Sequence, residues 1–240
     1  MDRRSLLLGG SAALTTILCA PAVRAADRYY NHYVTGQAEQ GLTATHVAKS
    51  GDTWDSLFGE RVEVARFYNR QNLQLETGQL VLLPPEGITD FMSPSMAPFA
   101  AAWSDEWVFV LISPARYAWG LFRGSQLVRW GPAVCGSDWC ADVGRSCLSP
   151  QGMFPITEIA GPDRRSGSYL IDQAAEGKGA LMPYFMKITD YGVGLYSRNM
   201  RGRHETHGHI GLFEQDAMWL NALAQRGPGT LHVKVLDYTD

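Results

Sequence analysis

Two hydrophobic patterns divide this chain. From Trp107 onward, short apolar runs alternate with turn residues. Trp107-Val108-Phe109-Val110-Leu111-Ile112 is the continuous apolar run of a buried strand. Ala118-Trp119-Gly120-Leu121-Phe122 follows, and an Arg123-Gly124-Ser125 turn leads into Gln126-Leu127-Val128-Arg129-Trp130, which predicts a β-meander. Ser149-Pro150-Gln151-Gly152 predicts a tight turn, because Pro sets one dihedral and Gly permits another, and it enters a strand burying Phe154 and Ile156. Further strands are predicted from Pro183 to Ile188, Val193 to Tyr196 and Leu231 to Val235. Only Asp216 to Gln225, with Ala217, Leu220, Leu223 and Ala224 at helical spacing, interrupts the series. The expectation is a mainly β sandwich or barrel with one helix.

Upstream the period changes. Residues 26–44 are polar and aromatic without a clear repeat, and predict a leader or a short edge segment. His46-Val47-Ala48-Lys49 reads as a short strand and Gly51 as a turn; Asp52 and Thr53 cap a helix carrying Trp54, Leu57 and Phe58. A second helical stretch runs from Val62 to Asn69, and a strand after Gly78 stops at Pro84. Residues 45–84 are thus predicted to form a small βααβ module, an α+β companion to the larger domain at 105–236. Pro- and Ser-rich residues 85–104 lack a period and read as a linker.

With 240 residues, of which 45% are hydrophobic, the chain has room for a large domain and a smaller companion. Residues 1–25 stand apart. Arg3 and Arg4 precede an apolar run to Ala22, and Val23-Arg24-Ala25 suits signal peptidase, so an export signal is predicted. Arg3-Arg4-Ser5-Leu6-Leu7 resembles a twin-arginine signal and equally fits the basic start of a general secretory one. The run is short for a retained membrane anchor, and bulky Leu18 before Cys19 is unsuited to lipidation. The 21 basic and 24 acidic residues give −3; removing Arg3, Arg4, Arg24 and Asp2 leaves 18 against 23, or −5. No basic patch points to nucleic acid. Cys135, Cys140 and Cys147 remain in an exported chain, for which one disulfide and one free thiol is the simplest arrangement, with the pairing open.

Candidate chemistry concentrates in Arg203-His204-Glu205-Thr206-His207-Gly208-His209-Ile210-Gly211-Leu212, which holds three of the six histidines. If this segment is extended, Glu205, His207 and His209 share a face, while His204 and Thr206 point away. Two imidazoles and a carboxylate suit proton transfer or a divalent metal. No cofactor is expected. The metal alternative is zinc held by His207, His209 and either His204 or Glu205, and the plain alternative is a polar loop satisfied by backbone and water.

Thr206-His207-Gly208-x-Ile210-x-Leu212, followed by Asp216-Ala217, resembles the signature of the L,D-transpeptidase (YkuD) family, in which Ser/Thr-His-Gly-Cys-Ile-Arg precedes a helix. Ser149-Pro150-Gln151-Gly152-Met153-Phe154-Pro155-Ile156 is similar to that family's Thr-Pro-x-Gly-x-Phe-x-Ile segment, in its expected place. The resemblance spans residues 105–236. It implies a YkuD-like fold and recognition of peptidoglycan stem peptide, where a cysteine thiolate attacks a carbonyl, expels a D-amino acid and passes the acyl group to an amine or water. Three positions differ: His209 stands for the cysteine, Gly211 for the arginine, and Tyr196 for the general-base histidine. The resemblance assigns His209, His207 and Tyr196 to the catalytic positions, with Thr206 and Gly208 beside ligand. It leaves open binding without transpeptidation, and peptidoglycan chemistry through His209, a metal, or a nucleophile relocated to Cys135, Cys140 or Cys147. An acyl-imidazole at His209 would favour hydrolysis, and a tyrosine is a poor base near neutral pH.

The smaller region, with Val47-x-x-Ser50-Gly51-Asp52-Thr53, Asn69-Arg70-x-Asn72 and Thr77-Gly78-Gln79-Leu80-x-x-x-Pro84, is similar to a LysM module. That implies binding of N-acetylglucosamine-containing glycan in a shallow groove between Ser50, Gly51, Asp52 and Thr53 and the opposite segment Leu73 to Gly78. The combined expectation is an exported protein of the periplasm or cell wall whose partners are glycan and stem peptide.

Overall fold

The computed structural model of the chain describes residues 33–39, 43–92, 108–170, 179–227 and 229–239. The expected export signal and most of the expected linker lie outside these residues. Among the described residues no helix is long and apolar enough to cross a membrane.

The first described element is a helix, α1 (Tyr33–Glu39), where no periodic element is expected from the pattern. Tertiary contact explains the difference: Tyr33 packs 5.6 Å from Tyr117, and Tyr33 N–H donates to the Gly202 carbonyl at 2.8 Å. A helix this short is marginal without such packing. Next come β1 (Thr45–Val47), α2 (Trp54–Phe58), α3 (Val62–Asn69) and β2 (Leu80–Leu82), with β1 and β2 antiparallel. Thr53 caps α2 in a reciprocal box with Ser56. Trp54, fully buried with Ala65 and Val81, donates its indole N–H to the Leu73 carbonyl at 2.6 Å.

The larger part is built on β3 (Val108–Ser113), β4 (Ala118–Arg123) and β5 (Gln126–Val134). Gly124, at φ 57°, and Ser125 close the tight turn between the last two. Beyond them lie β6 (Gly152–Pro155), β7 (Glu158–Ile159), β8 (Arg165–Leu170), β9 (Gly179–Leu181), β10 (Met186–Lys187), β11 (Gly194–Ser197), β12 (Ile210–Leu212), helix α4 (Glu214–Gln225) and β13 (His232–Val235). Nine strands form one sheet in the order β6-β13-β3-β4-β5-β12-β11-β10-β7, while β8 and β9 pair separately. Its two end strands, β6 and β7, are joined only by Ile156 and Thr157, so the sheet must curl until its ends meet. The linking residues make that closure: Ile156 N–H donates to Leu231 O at 3.2 Å and Thr157 N–H to Lys187 O at 2.9 Å.

This is the mainly β architecture expected, with α4 against the sheet. Val110, Ile112, Trp119, Leu195, Ile210, Leu212, Ala217, Leu220 and Val233 share its core. The segment expected as a strand from Pro183 pairs only at Met186–Lys187, because Pro183 has no N–H to donate and Tyr184 adopts φ 57°, outside strand geometry.

Asp216, in the first turn of α4, is fully buried. Arg129 of β5 donates to it at 2.7 and 3.2 Å, and the Trp119 indole at 3.4 Å, which ties α4 to the middle of the sheet. Removing one partner of a buried ion pair strands the other in a poorly solvating site. Asp216→Ala is therefore expected to destabilise the fold by about 3 kcal/mol, measured as a lowered urea midpoint, and a change below about 0.5 kcal/mol would refute this role.

Candidate active site

Past Val134, the continuation Cys135-Gly136-Ser137 holds the histidine-rich segment in place. Thr206 N–H donates to Cys135 O at 3.3 Å, Ser137 N–H to Thr206 O at 2.9 Å, and Cys135 N–H to His204 Nδ1 at 2.9 Å. Ser149 Oγ accepts the Gly136 N–H at 2.9 Å and donates to the His209 carbonyl at 3.4 Å. The buried Thr206 hydroxyl donates to the same carbonyl. Between them Gly208, at φ 104°, turns the chain back into β12 through a region closed to most side chains.

The segment is therefore a bend held from both sides, and the alternation expected of an extended strand is absent. Its side chains diverge. Glu205 is gripped by Arg198 and Arg203, each at 3.0 Å. His207, the most exposed of the three histidines, meets Asp142 with Nε2 2.8 Å from Oδ2. His204 faces the core, stacked 4.1 Å from Tyr117 and edge-on to Tyr238; with Nδ1 accepting from Cys135, its Nε2–H donates to Pro114 O at 3.1 Å. Burial lowers its pKa to about 4, so it is a neutral structural histidine. The zinc set of His204, His207 and His209, or its Glu205 variant, is thus not assembled. The ligand-type atoms that do gather are Cys140 Sγ, Cys147 Sγ and a His207 ring nitrogen, all within 4.8 Å of one another, with the sulfurs in a disulfide.

His209, at the position expected to carry the nucleophile, lies mostly inside, with the rings of Phe185 and Tyr196 edge-on at 6.0 and 5.8 Å. Its Nδ1 accepts the Gly194 N–H at 3.2 Å, which places the proton of the neutral ring on Nε2. Burial above all, with the nearby Arg198 cation in support, lowers its pKa to about 4. At neutral pH it offers an N–H donor. Its one lone pair is already engaged, so it is poorly arranged either to attack a carbonyl or to hold a metal.

Tyr196 sits in β11 in register with Gly211 of the parallel β12. Burial raises its phenol pKa above the ordinary value, so it is no base near neutrality. A Cβ on Gly211 would stand 2.3 Å from Arg198 Cδ, so the absent side chain leaves room for the Arg198 stem. The Arg198 guanidinium then reaches Glu205 at 3.0 Å and the Tyr196 hydroxyl at 3.4 Å. Arg198, Asp142 and Tyr238 were missed by motif reading, and Ser149 was read there only as the start of a turn. Asp142, inside the Cys140–Cys147 interval, carried the nearest thing to a signal.

Cys135, the remaining cysteine among the described residues, is fully buried, and desolvation raises its thiol pKa to about 12, so it is protonated and shielded. The Cys140–Cys147 loop abuts the signature. Cys147 N–H donates to Ser137 O at 3.0 Å, and a Cβ on Gly136 would fall 1.8 Å from the Cys147 carbonyl and 2.9 Å from Gly208 Cα. Trp139, Val143 and Leu148 stand exposed around this loop.

A second concavity, of about 480 Å³, is bounded by Val34 of α1, by Leu73, Thr77 and Gln79 of the small module, and by Arg201 and Arg203 just before the signature. Ser50, Gly51, Asp52 and Thr53 are not part of its lining. Asp52 instead accepts from Lys49 N–H and His46 Nε2, both at 2.8 Å, and Thr53 caps α2, so these two residues brace their turn.

A family model described as the L,D-transpeptidase catalytic domain, YkuD, matches residues 106–235. An L,D-transpeptidase (residues 123–326) from Xylanimonas cellulosilytica is similar in fold, at 14% identity and TM-score 0.51, over 80% of this chain and 98% of that one. An L,D-transpeptidase from Mycobacterium smegmatis aligns at 18% identity and TM-score 0.43, over 54% of this chain, which spans only 58% of that one. No curated protein sequence matches.

His204 and His209 are neutral in the fold to about pH 4, whereas an unfolded histidine takes up a proton near 6.5. Between these values the unfolded chain binds more protons, so stability falls as pH is lowered. The loss is expected to reach up to about 2–3 kcal/mol per histidine between pH 7 and 4.5. Urea unfolding at both pH values measures it, and His209→Gln should flatten the dependence. An unchanged slope in that variant would contradict the buried neutral imidazole.

Proposed function

The chain belongs to the L,D-transpeptidase catalytic domain (YkuD) family, and on that premise we propose that it is an exported, peptidoglycan-associated protein that binds glycan and stem peptide without cysteine-thioester transpeptidation. The observation that carries the reading is His209. An imidazole stands where the family nucleophile is expected, with its acceptor nitrogen taken by Gly194 and its pKa lowered to about 4. Covalent acyl transfer needs a nucleophile and a base within reach of one another, and Tyr196 supplies no base. Thr206 and Gly208 shape the bend against which a peptide would lie, and exposed Trp139, Val143 and Leu148 provide apolar contact beside it.

The LysM-like module supplies the glycan contact in this reading. The groove at Leu73 to Gln79 is lined by amide and hydroxyl groups suited to N-acetylated sugars. Its far wall is contributed by α1 and by Arg201 and Arg203, rather than by Ser50 to Thr53. A glycan held there would run beside the signature, within reach of cations that suit carboxylates on the attached peptide.

A second reading keeps peptidoglycan chemistry, with the thiol moved to the disulfide loop; it rests on His207 and Asp142 lying beside Cys140 and Cys147. Purified protein incubated with muropeptides carrying tetrapeptide stems, with and without a thiol reductant, separates the two. No D-alanine release in either condition is expected. Release only under reduction would favour the second reading, and release abolished by His209→Ala would overturn the first. Full-length protein should co-sediment with purified sacculi, and Thr77→Trp, which fills the groove from an exposed rim position, should weaken that binding about tenfold, or roughly 1.4 kcal/mol. Equal binding by the variant would remove the groove from the proposal.

A further inference from the structure

The geometry points to a thiolate metal site concealed by the disulfide: on reduction, Cys140, Cys147 and His207 bind a soft divalent ion of the zinc class. This site shares His207 with the histidine cluster read from the sequence but takes its other ligands from the disulfide loop, and it does not depend on peptidoglycan binding. Three observations converge on it. The two sulfurs and a ring nitrogen of His207 already lie within 4.8 Å of one another, although Cys140 and His207 are far apart in sequence. Tetrahedral zinc, with bonds of about 2.3 Å to sulfur and 2.0 Å to nitrogen, sets its ligand atoms roughly 3.3–3.8 Å apart, so rotation of two cysteine side chains would suffice.

The imidazole is also oriented for ligation. Asp142 holds His207 Nε2 at 2.8 Å, an arrangement in which a carboxylate fixes the ring of a metal-binding histidine. Asp142 lies in the same loop as both cysteines and orients the ring from outside the donor set, which is two sulfurs and one nitrogen. The remaining position would go to water.

Third, the backbone around the loop is anchored independently of the disulfide. Cys147 N–H donates to Ser137 O at 3.0 Å, and Cys140 N–H donates to Arg145 O at 2.8 Å. Opening the bridge thus leaves the ligand-bearing backbone held. Ser137 belongs to the continuation of β5, which also holds the signature bend, and the Arg145 contact closes the loop on itself.

The chemistry balances in two steps. A dithiol reductant donates two electrons and two protons to the Cys140–Cys147 bond, giving two thiols while the dithiol closes to its own disulfide. Zn²⁺ then displaces the two thiol protons as it binds two thiolates and neutral His207. Oxidised protein holds no thiolate at this loop and should not bind. The loop has two mutually exclusive closures, one covalent and one metallic.

The test uses the full chain in oxidised and reduced forms, freed of reductant without air, and titrated with Co²⁺ and then Zn²⁺. Reduced protein should bind one equivalent, with thiolate-to-cobalt charge-transfer absorption and tetrahedral d–d bands that Zn²⁺ abolishes; oxidised protein should show neither. His207→Ala, at an exposed position, should weaken Zn²⁺ binding at least about tenfold, whereas Cys135→Ser should leave it unchanged. Absence of stoichiometric metal in the reduced protein would overturn the inference, as would binding that survives a Cys140→Ser/Cys147→Ser double variant. Circular dichroism of reduced wild-type protein identifies unfolding, which would overturn it equally, since the site requires a retained backbone. Sacculus binding by the oxidised protein reads the peptidoglycan proposal separately.

Discussion

The pairing of residues 135–137 with residues 204–206 is the constraint on which the site depends. A strand buried in the middle of the sheet runs past its last sheet partner and spends its next backbone groups on the histidine-rich bend, so the bend inherits the rigidity of the core. Polar groups drawn into this seam are paired within it: His204 Nδ1 takes Cys135 N–H, Ser149 takes Gly136 N–H, and Tyr238 donates to Gly136 O at 3.0 Å while accepting Ser149 N–H at 2.9 Å. An unsatisfied buried polar group is costly. The saturation of this seam therefore specifies one backbone path for residues 204–209.

A second seam fixes the small module against the sheet. Val64 and Phe67 of α3 pack with Tyr117, Trp130, Met200 and Phe213. Arg70 is buried between them, its guanidinium 4.8 Å from both the Tyr33 and the Trp130 ring centres. Aromatic faces partly replace the lost hydration of that cation, although burial still lowers its pKa. Asn72 exchanges hydrogen bonds with Met200 at 3.1 and 2.8 Å, so the loop after α3 is stitched to the chain just before the signature. The groove between Thr77 and Arg203 exists because of this docking, and both parts of the chain line it.

The departures from the family motif act together. Gly211 makes room for Arg198, Arg198 meets the hydroxyl of Tyr196, and Tyr196 faces the ring of His209. Together they form a packed cluster around the neutral His209, beside Glu205, which Arg198 and Arg203 grip at 3.0 Å.

The mainly stranded class, the long helix from Glu214, the α2 cap and the turn at Gly124 were legible in the sequence, because each is set by local periodicity or by a backbone conformation that few residues permit. So was the family, since Thr206, His207, Gly208, Ile210 and Leu212 keep a motif whose spacing survives substitution. The direction of each histidine was not. Alternation assumes an extended backbone, and Gly208 together with the hydrogen bonds to residues 135–137 bends it, sending His204 inward, His207 to Asp142 and His209 to Gly194. The pairing of Cys140 with Cys147 was hidden because three cysteines at similar spacing allow three pairings; the seam between residues 135–137 and 204–206 and the groove wall formed by Arg201 and Arg203 were hidden because they join residues far apart in the chain. Only the curled sheet, whose ends meet across Ile156 and Thr157, brings them together.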